Sequence, residues 1–242
     1  MVATVCNDVS KLLSHQSDLV RKKAIIGELT TPPLVTKITP ARTYVQDRLL
    51  RNHRYNSRPS SQPYSLIAAL HRLHQLDQSN ISAPDLTANL RRILCDRDPS
   101  VMGASLCVIE KMTLKNPLPF KDLVPSLVSI LKQIIEHRLP SDFDYHRLPA
   151  PWLQMKLIRI LSILGKGDKS ASEGMYAILA ETIKRADTGI NAGFAVVYEV
   201  VKCVTEIYPN TTLLDGAANA ISRFMESNNH NLKYLGVTGL SR

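Results

Sequence analysis

From Leu66 onward, apolar residues recur every three to four positions, the spacing that gathers them on one side of an α-helix. Val101, Ala104, Ser105, Val108, Ile109 and Met112 form one stripe after the start signal DRDPS. Pro99 suits the first turn of that helix, where its missing N–H costs nothing, and Asp98 suits the cap. Val124, Leu127, Val128, Leu131, Ile134 and Ile135 form the next stripe, and Leu153, Leu157, Ile160, Leu161 and Leu164 a third. Gly165 and Gly167 then end that helix. Two further stripes run through Phe194, Val197, Val201 and Val204, and through Leu214, Ala217, Ala218, Ile221 and Met225. The breakers between them are short: KNPLP, GKGDKSAS, RADTGINAG, YPNTT and ESNNHN.

Helices this short cannot stand alone, so each must bury its stripe on its neighbours. Helix starts that correspond lie near Asp98, Pro151, Asn191 and Asn229, which gives steps of 53, 40 and 38 residues. Helix pairs recurring at about 40 residues predict an all-α fold, an α-α superhelix of the HEAT or armadillo type. The longer first step holds the polar loop EHRLPSDFDYHRLPA, which absorbs the excess. A closed helical bundle is the alternative architecture.

The pattern fails in one place. Residues 26–65 carry five of the 14 prolines (Pro32, Pro33, Pro40, Pro59 and Pro63) and mostly basic charges, among them Lys37, Arg42, Arg48, Arg51, Arg54 and Arg58. Prolines at this density prevent a continuous helix, and too few apolar residues remain for a core. The expected division is therefore residues 1–25 as the start of a helical trunk, 26–65 as a disordered basic insert, and 66–242 as the helical-repeat trunk.

Composition sharpens this picture only slightly. Aromatics make up 5% of the 242 residues and glycines number 10, which disfavours sandwiches and propellers. The net charge of +9 suits an acidic partner, whether nucleic acid, anionic membrane or acidic protein. Within it, the consecutive Arg21, Lys22 and Lys23 are the candidate contact for an anionic partner. Cys6, Cys95, Cys107 and Cys203 form no C-x-x-C pair, and all but Cys6 lie in apolar helical contexts, which predicts buried free thiols in a reducing compartment. No apolar run reaches the roughly 18 residues of a membrane span, and no signal peptide is evident.

Candidate chemistry is sparse. His71 and His74 lie three apart, with Asp77 nearby, but as surface histidines they need no metal. Asp142, Asp144 and His146 cluster in the polar loop without a nucleophile beside them. GKGDKS has the residue types of a phosphate loop but lacks the spacing and the preceding strand. No catalytic, cofactor-binding or metal-binding residue is assigned, and an enzyme is not expected.

Residues 90–240 resemble the trunk of adaptin large subunits. The segments that carry the resemblance are LCDRDPSVMGASL, FKDLVPSLVSILKQIIEHRLPSDFDYHRLPAPWLQMKLIRILSILGKGDKSASEGMYAIL and NLKYLGVTGL. The wording of DYHRLPAPWLQMKLIRIL and LGKGDKSASEGMY is similar to the epsilon type of the fourth adaptor complex rather than to the gamma or alpha types. The resemblance implies a vesicle-coat scaffold that pairs with a beta-type large chain, a medium chain and a small chain. It further implies recruitment by an Arf-type GTPase and peripheral association with the trans-Golgi network from the cytoplasm. Rival readings are another adaptin, a coatomer-type trunk, or a basic RNA-binding scaffold. Trp152 and Leu153 belong to the family's wording, and their stripe position predicts core packing for both. Family sequences run from VRKKA into the next apolar helix without a break. The insert therefore reads as retained intron sequence in preference to a lineage-specific loop. The ends read as cuts within a longer helical array, so the chain alone is expected to be marginally stable.

Overall fold

The structure, a computed structural model, describes Leu90, Arg91, Leu94, Cys95 and residues 99–241. Residues 1–25 and 26–65, with Arg21, Lys22 and Lys23, lie outside the described residues, as do His71, His74, Asp77 and Asp98. Two compact units divide the chain, Met1–Val108 and Ile109–Arg242. In the first, Leu90, Leu94, Val101, Met102, Leu106 and Val108 are buried.

The regular elements, numbered here from the first whose bounds are described, are mostly helices. They are α1 (Pro99–Lys115), α2 (Val124–Ile135), α3 (Pro151–Gly165), α4 (Lys169–Glu173), α5 (Tyr176–Ala186), α6 (Asn191–Glu206), α7 (Thr211–Glu226) and α8 (His230–Leu240). A 3-10 turn, Leu118–Leu123, leads into α2. The expected stripes explain these helices: Leu127, Leu131 and Ile134 are fully buried on α2, as are Leu157, Ile160, Leu161 and Leu164 on α3.

The breakers also act as expected, and each has a local reason. Pro151 opens α3, and Gly167, with φ +68°, follows its end. Asn210 caps α7 by accepting from Leu213 N at 3.0 Å, and Asn229 caps α8 by accepting from Asn231 N at 2.9 Å. In GKGDKSAS, Asp168 accepts from Ala171 N at 3.1 Å and opens the short helix α4, so this segment is partly helical. Its Ser172, fully buried, joins three elements. The hydroxyl donates toward the carbonyls of Gly165 and Asp168 and accepts the Tyr208 N–H at 3.1 Å.

The second unit forms two layers. The helices α2, α5 and α7 pack side by side in one layer, and α3, α6 and α8 in the other. The pairs α2–α3, α5–α6 and α7–α8 join the layers. The second helices of these pairs start at Pro151, Asn191 and His230, steps of 40 and 39 residues. Stacked helix pairs, rather than a closed bundle, are the arrangement that this repetition produces.

Four expectations are corrected. On α7 the buried face is Leu213, Ala217, Ala220, Ile221 and Phe224, whereas Leu214 and Ala218 are exposed. The Phe224 ring sets that phase by meeting Phe194 edge to face, 5.6 Å between centroids. Trp152 is 44% exposed, although Leu153 beside it is buried. The polar loop contains a two-stranded hairpin, with β1 (Asp144–Tyr145) antiparallel to β2 (Leu148–Pro149). Its tip puts His146 and Arg147 at φ 48° and 68°.

The last correction concerns the thiols. Cys203 is buried, but Cys95 and Cys107 are exposed, because they fall on the solvent side of their turns. Burial pushes the Cys203 thiol up to about 12, so almost no thiolate exists there at neutral pH. Alkylation of the native chain followed by peptide mass spectrometry is expected to modify Cys95 and Cys107 and to spare Cys203 until denaturant is added. Equal labelling of all three without denaturant would contradict this packing.

Candidate functional site

The sequence candidates in the described residues do not converge. Asp144 lies 3.7 Å from His137, and His146 stands edge-on to Tyr145, 4.5 Å between ring centroids. Asp142 sits in a separate 3-10 turn, Ser141–Phe143. Among the described residues no three His, Cys, Asp or Glu side chains come together as a metal site, and no helix is long and apolar enough to cross a membrane.

Asp168, the acid of the phosphate-loop-like segment, has a structural role. It pairs with Lys121 at 2.7 Å while capping α4. The Lys121 hydrogen bond, followed by that from Ala171 N–H, holds its carboxyl below the usual range. A lowered folded-state value stabilises the fold above the unfolded carboxylate value of about 3.9. That contribution is lost as pH falls through the lowered value. Denaturant melts between about pH 6 and pH 2 are expected to show a smaller acid-induced loss in Lys121→Met than in the native chain. An unchanged pH profile would remove this pair from the acid response.

A polar ladder that sequence spacing did not reveal runs across the layer formed by α3, α6 and α8. Lys156 pairs with Glu110 on α1. Arg159 lies 3.9 Å from Glu110 and grips Glu199 with two hydrogen bonds of 2.9 and 3.2 Å. Lys202 reaches Glu199 at 2.8 Å, and its ammonium lies 5.5 Å from the centre of the Tyr198 ring. The Tyr198 hydroxyl then bonds Thr238 on α8 at 3.0 Å. Hydrogen bonding to Glu199 raises the Arg159 guanidinium above its ordinary value, against the opposing effect of burial.

Three of these links repeat one offset. Arg159–Glu199, Lys166–Glu206 and Tyr198–Thr238 each join residues 40 apart. The period expected from helix starts thus reappears as contact between neighbouring repeats. Such contacts lock one repeat onto the next, which is how a stacked array gains stability. The sequence carries a trace of them in the opposite charges 40 residues apart, Arg159 with Glu199 and Lys166 with Glu206, but that spacing alone does not distinguish a contact from two solvated charges.

Paired helices in two layers, stitched between repeats, define an α-helical repeat protein. The chain belongs to the adaptin family: the description of the adaptin N-terminal region fits residues 59–242. It is 39% identical over 241 residues to the AP-4 complex subunit epsilon of Arabidopsis thaliana, covering 100% of this chain and 21% of that protein. It is 42% identical over 175 residues to the AP-4 complex subunit epsilon-1 of Homo sapiens, covering 72% of this chain and 15% of that protein. The AP-1 complex subunit gamma of Dictyostelium discoideum is 33% identical over 166 residues, 66% of this chain and 18% of that protein. The fold matches a chain in a homology model of the full-length AP-3 complex in an intermediate open conformation, with a TM-score of 0.68 and 17% identity, over 97% of this chain and 43% of that one. The chain spans about a fifth of the length of the curated relatives it matches.

Proposed function

We propose that this chain is a trunk segment of the large subunit of a heterotetrameric vesicle-coat adaptor of the AP-4 epsilon type. In this reading it carries no chemistry of its own. It scaffolds a beta-type large chain, a medium chain and a small chain, and the assembled complex sorts cargo for vesicle-mediated transport from the trans-Golgi network. Association with the membrane is peripheral, from the cytoplasm, and follows recruitment by an Arf-type GTPase. Arg21, Lys22 and Lys23 are proposed as a contact for an anionic partner.

The observation that carries the reading is the likeness to epsilon subunits from several species, which exceeds the likeness to a gamma subunit. The stitched two-layer array supports it physically, because packed repeats present a long, pre-organised surface on which other chains can be held. Within the same reading, residues 26–65 are an insertion between two parts of the trunk.

Gentle affinity capture of the tagged chain from its native cells, followed by mass spectrometry, tests the proposal. Beta-type, medium and small adaptor chains are expected in the eluate. Chaperones alone would mean that this chain does not assemble. RNA-binding proteins without adaptor chains would overturn the reading. Peptides spanning residues 27–65 would establish that the insert is translated.

A further inference from the structure

The two faces of the repeat array differ in chemistry. On the side of α2, α5 and α7, the solvent-facing positions are largely small or polar, including Ser126, Ser129, Ala177, Ala218, Asn219 and Ser222. Among the described residues of these three helices, Leu214 is the exposed large apolar side chain, at 37%. On the side of α3, α6 and α8, the exposed large apolar side chains are Trp152 on α3, at 44%, and Tyr234, Val237 and Leu240 on α8, at 68%, 54% and 66%.

The ladder gives this second face its sign. Glu110 and Glu199 keep only 11% and 8% of their side chains exposed, whereas Lys156, Arg159 and Lys202 keep 31%, 43% and 25%. The carboxylates therefore lie beneath, and the cations lie above them, nearer to solvent. Trp152 falls on the same stripe, four residues before Lys156 and seven before Arg159. Tyr234 lies four residues before Thr238, which ends the ladder on α8. One continuous surface thus carries cations at its centre and an exposed aromatic at either end. With neighbouring helices about 8–10 Å apart, it spreads over roughly 20 Å.

We infer that the α3–α6–α8 face, centred on Lys156, Arg159 and Lys202 and flanked by Trp152 and Tyr234, docks an acidic segment of a partner protein. Charge complementarity selects an acidic occupant, because three part-exposed cations lie over two buried carboxylates and leave one positive charge in excess. A protein is favoured over an anionic lipid surface by how the cations are held. Buried carboxylates fix Arg159 and Lys202 in place, which lowers the ordering entropy of a specific contact. Trp, Tyr and Arg are also the side chains that dominate protein interfaces. The inference rests on the scaffold reading above and adds which face is used and what chemistry it recognises.

Photo-crosslinking in the full chain, expressed in its native cells, tests it. The photoreactive residue p-benzoyl-phenylalanine replaces Trp152, Tyr234, or, as opposite-face controls, Ser129 or Ser222. Adducts at 152 and 234 are expected with one and the same protein, mapping to a peptide rich in Asp and Glu. In the Lys202→Glu background, checked for an unchanged thermal melt, the yield is expected to fall at least about tenfold, which corresponds to 1.4 kcal/mol. The unsubstituted-ladder adducts decide the matter alone if that variant melts early. Adducts confined to 129 or 222, to lipid, to RNA or to a peptide without acidic residues would overturn the inference, and so would no adduct at 152 and 234. If adaptor chains co-purify while those adducts fail, the docking face is wrong and the scaffold reading stands. Loss of both would sink the two together.

Discussion

Alanine at Gly193 is expected to destabilise the fold by about 2–3 kcal/mol, the upper part of the range for overpacking a closed site. In an open helix the same exchange would stabilise by roughly 1 kcal/mol, because glycine is a poor helix former. The sign reverses because α5 and α6 meet at a tight corner. A Cβ on Gly193 would lie 2.1 Å from the Ala186 carbonyl oxygen and 2.8 Å from the Thr188 hydroxyl. The carbonyl is backbone and already accepts the Thr188 N–H at 2.8 Å, so it cannot rotate away as a side chain would. Relief requires the whole corner to open, which pulls Val196 and Val197 from the core.

Gly216 supplies the control within the same unit. It lies inside α7, and a Cβ there meets nothing within 4 Å. Gly216→Ala is therefore expected to stabilise by about 0.5–1 kcal/mol through helix propensity and reduced freedom of the unfolded chain. Thermal unfolding of the two variants reads out the contrast, at about 2–4 °C per kcal/mol for a chain of this size. Shifts of the same sign at both positions would mean that local contact does not decide the outcome.

The second large effect is expected at Glu199. This carboxylate is 7% exposed and accepts hydrogen bonds from Arg159 on α3 and charge from Lys202 on its own helix. Glu199→Ala leaves Lys202 without its carboxylate and Arg159 with only the 3.9 Å approach to Glu110, and it opens a gap between repeats. Breaking a fully buried pair costs about 3–5 kcal/mol, and the partial exposure of Arg159 lowers the expectation here to roughly 2 kcal/mol. Glu199→Gln keeps the shape and one acceptor, so it should lose less than the alanine variant. A double-mutant cycle with Arg159→Ala isolates the coupling between the repeats. Additive losses in that cycle would show that the ladder decorates the layer without joining its helices.

These two positions mark where sequence reasoning reaches its limit. Both lie on a helix whose existence and period are plain from the stripe of Val197, Val201 and Val204. Neither side chain, or its absence, announces its partner. Gly193 belongs to a segment that reads simply as a breaker, and its close neighbour is a backbone atom seven residues away. Glu199 reads as a solvated charge until α3 is laid against α6. Trp152 shows the opposite error: an apolar stripe predicts burial for it, yet α3 begins there and turns that residue outward.

The sequence by itself determined that this protein is helical, where most of its helices begin and end, the repeat of about 40 residues and the adaptin resemblance. Those features depend on spacing along one helix, on caps and on glycines, and such signals are local. The tertiary structure alone decided the phase of α7, the exposure of Trp152, Cys95 and Cys107, the close approach at Gly193 and the pairing of Arg159 with Glu199. Each of those depends on which surface of a neighbouring helix arrives, and residues 40 apart meet only once the pairs are stacked.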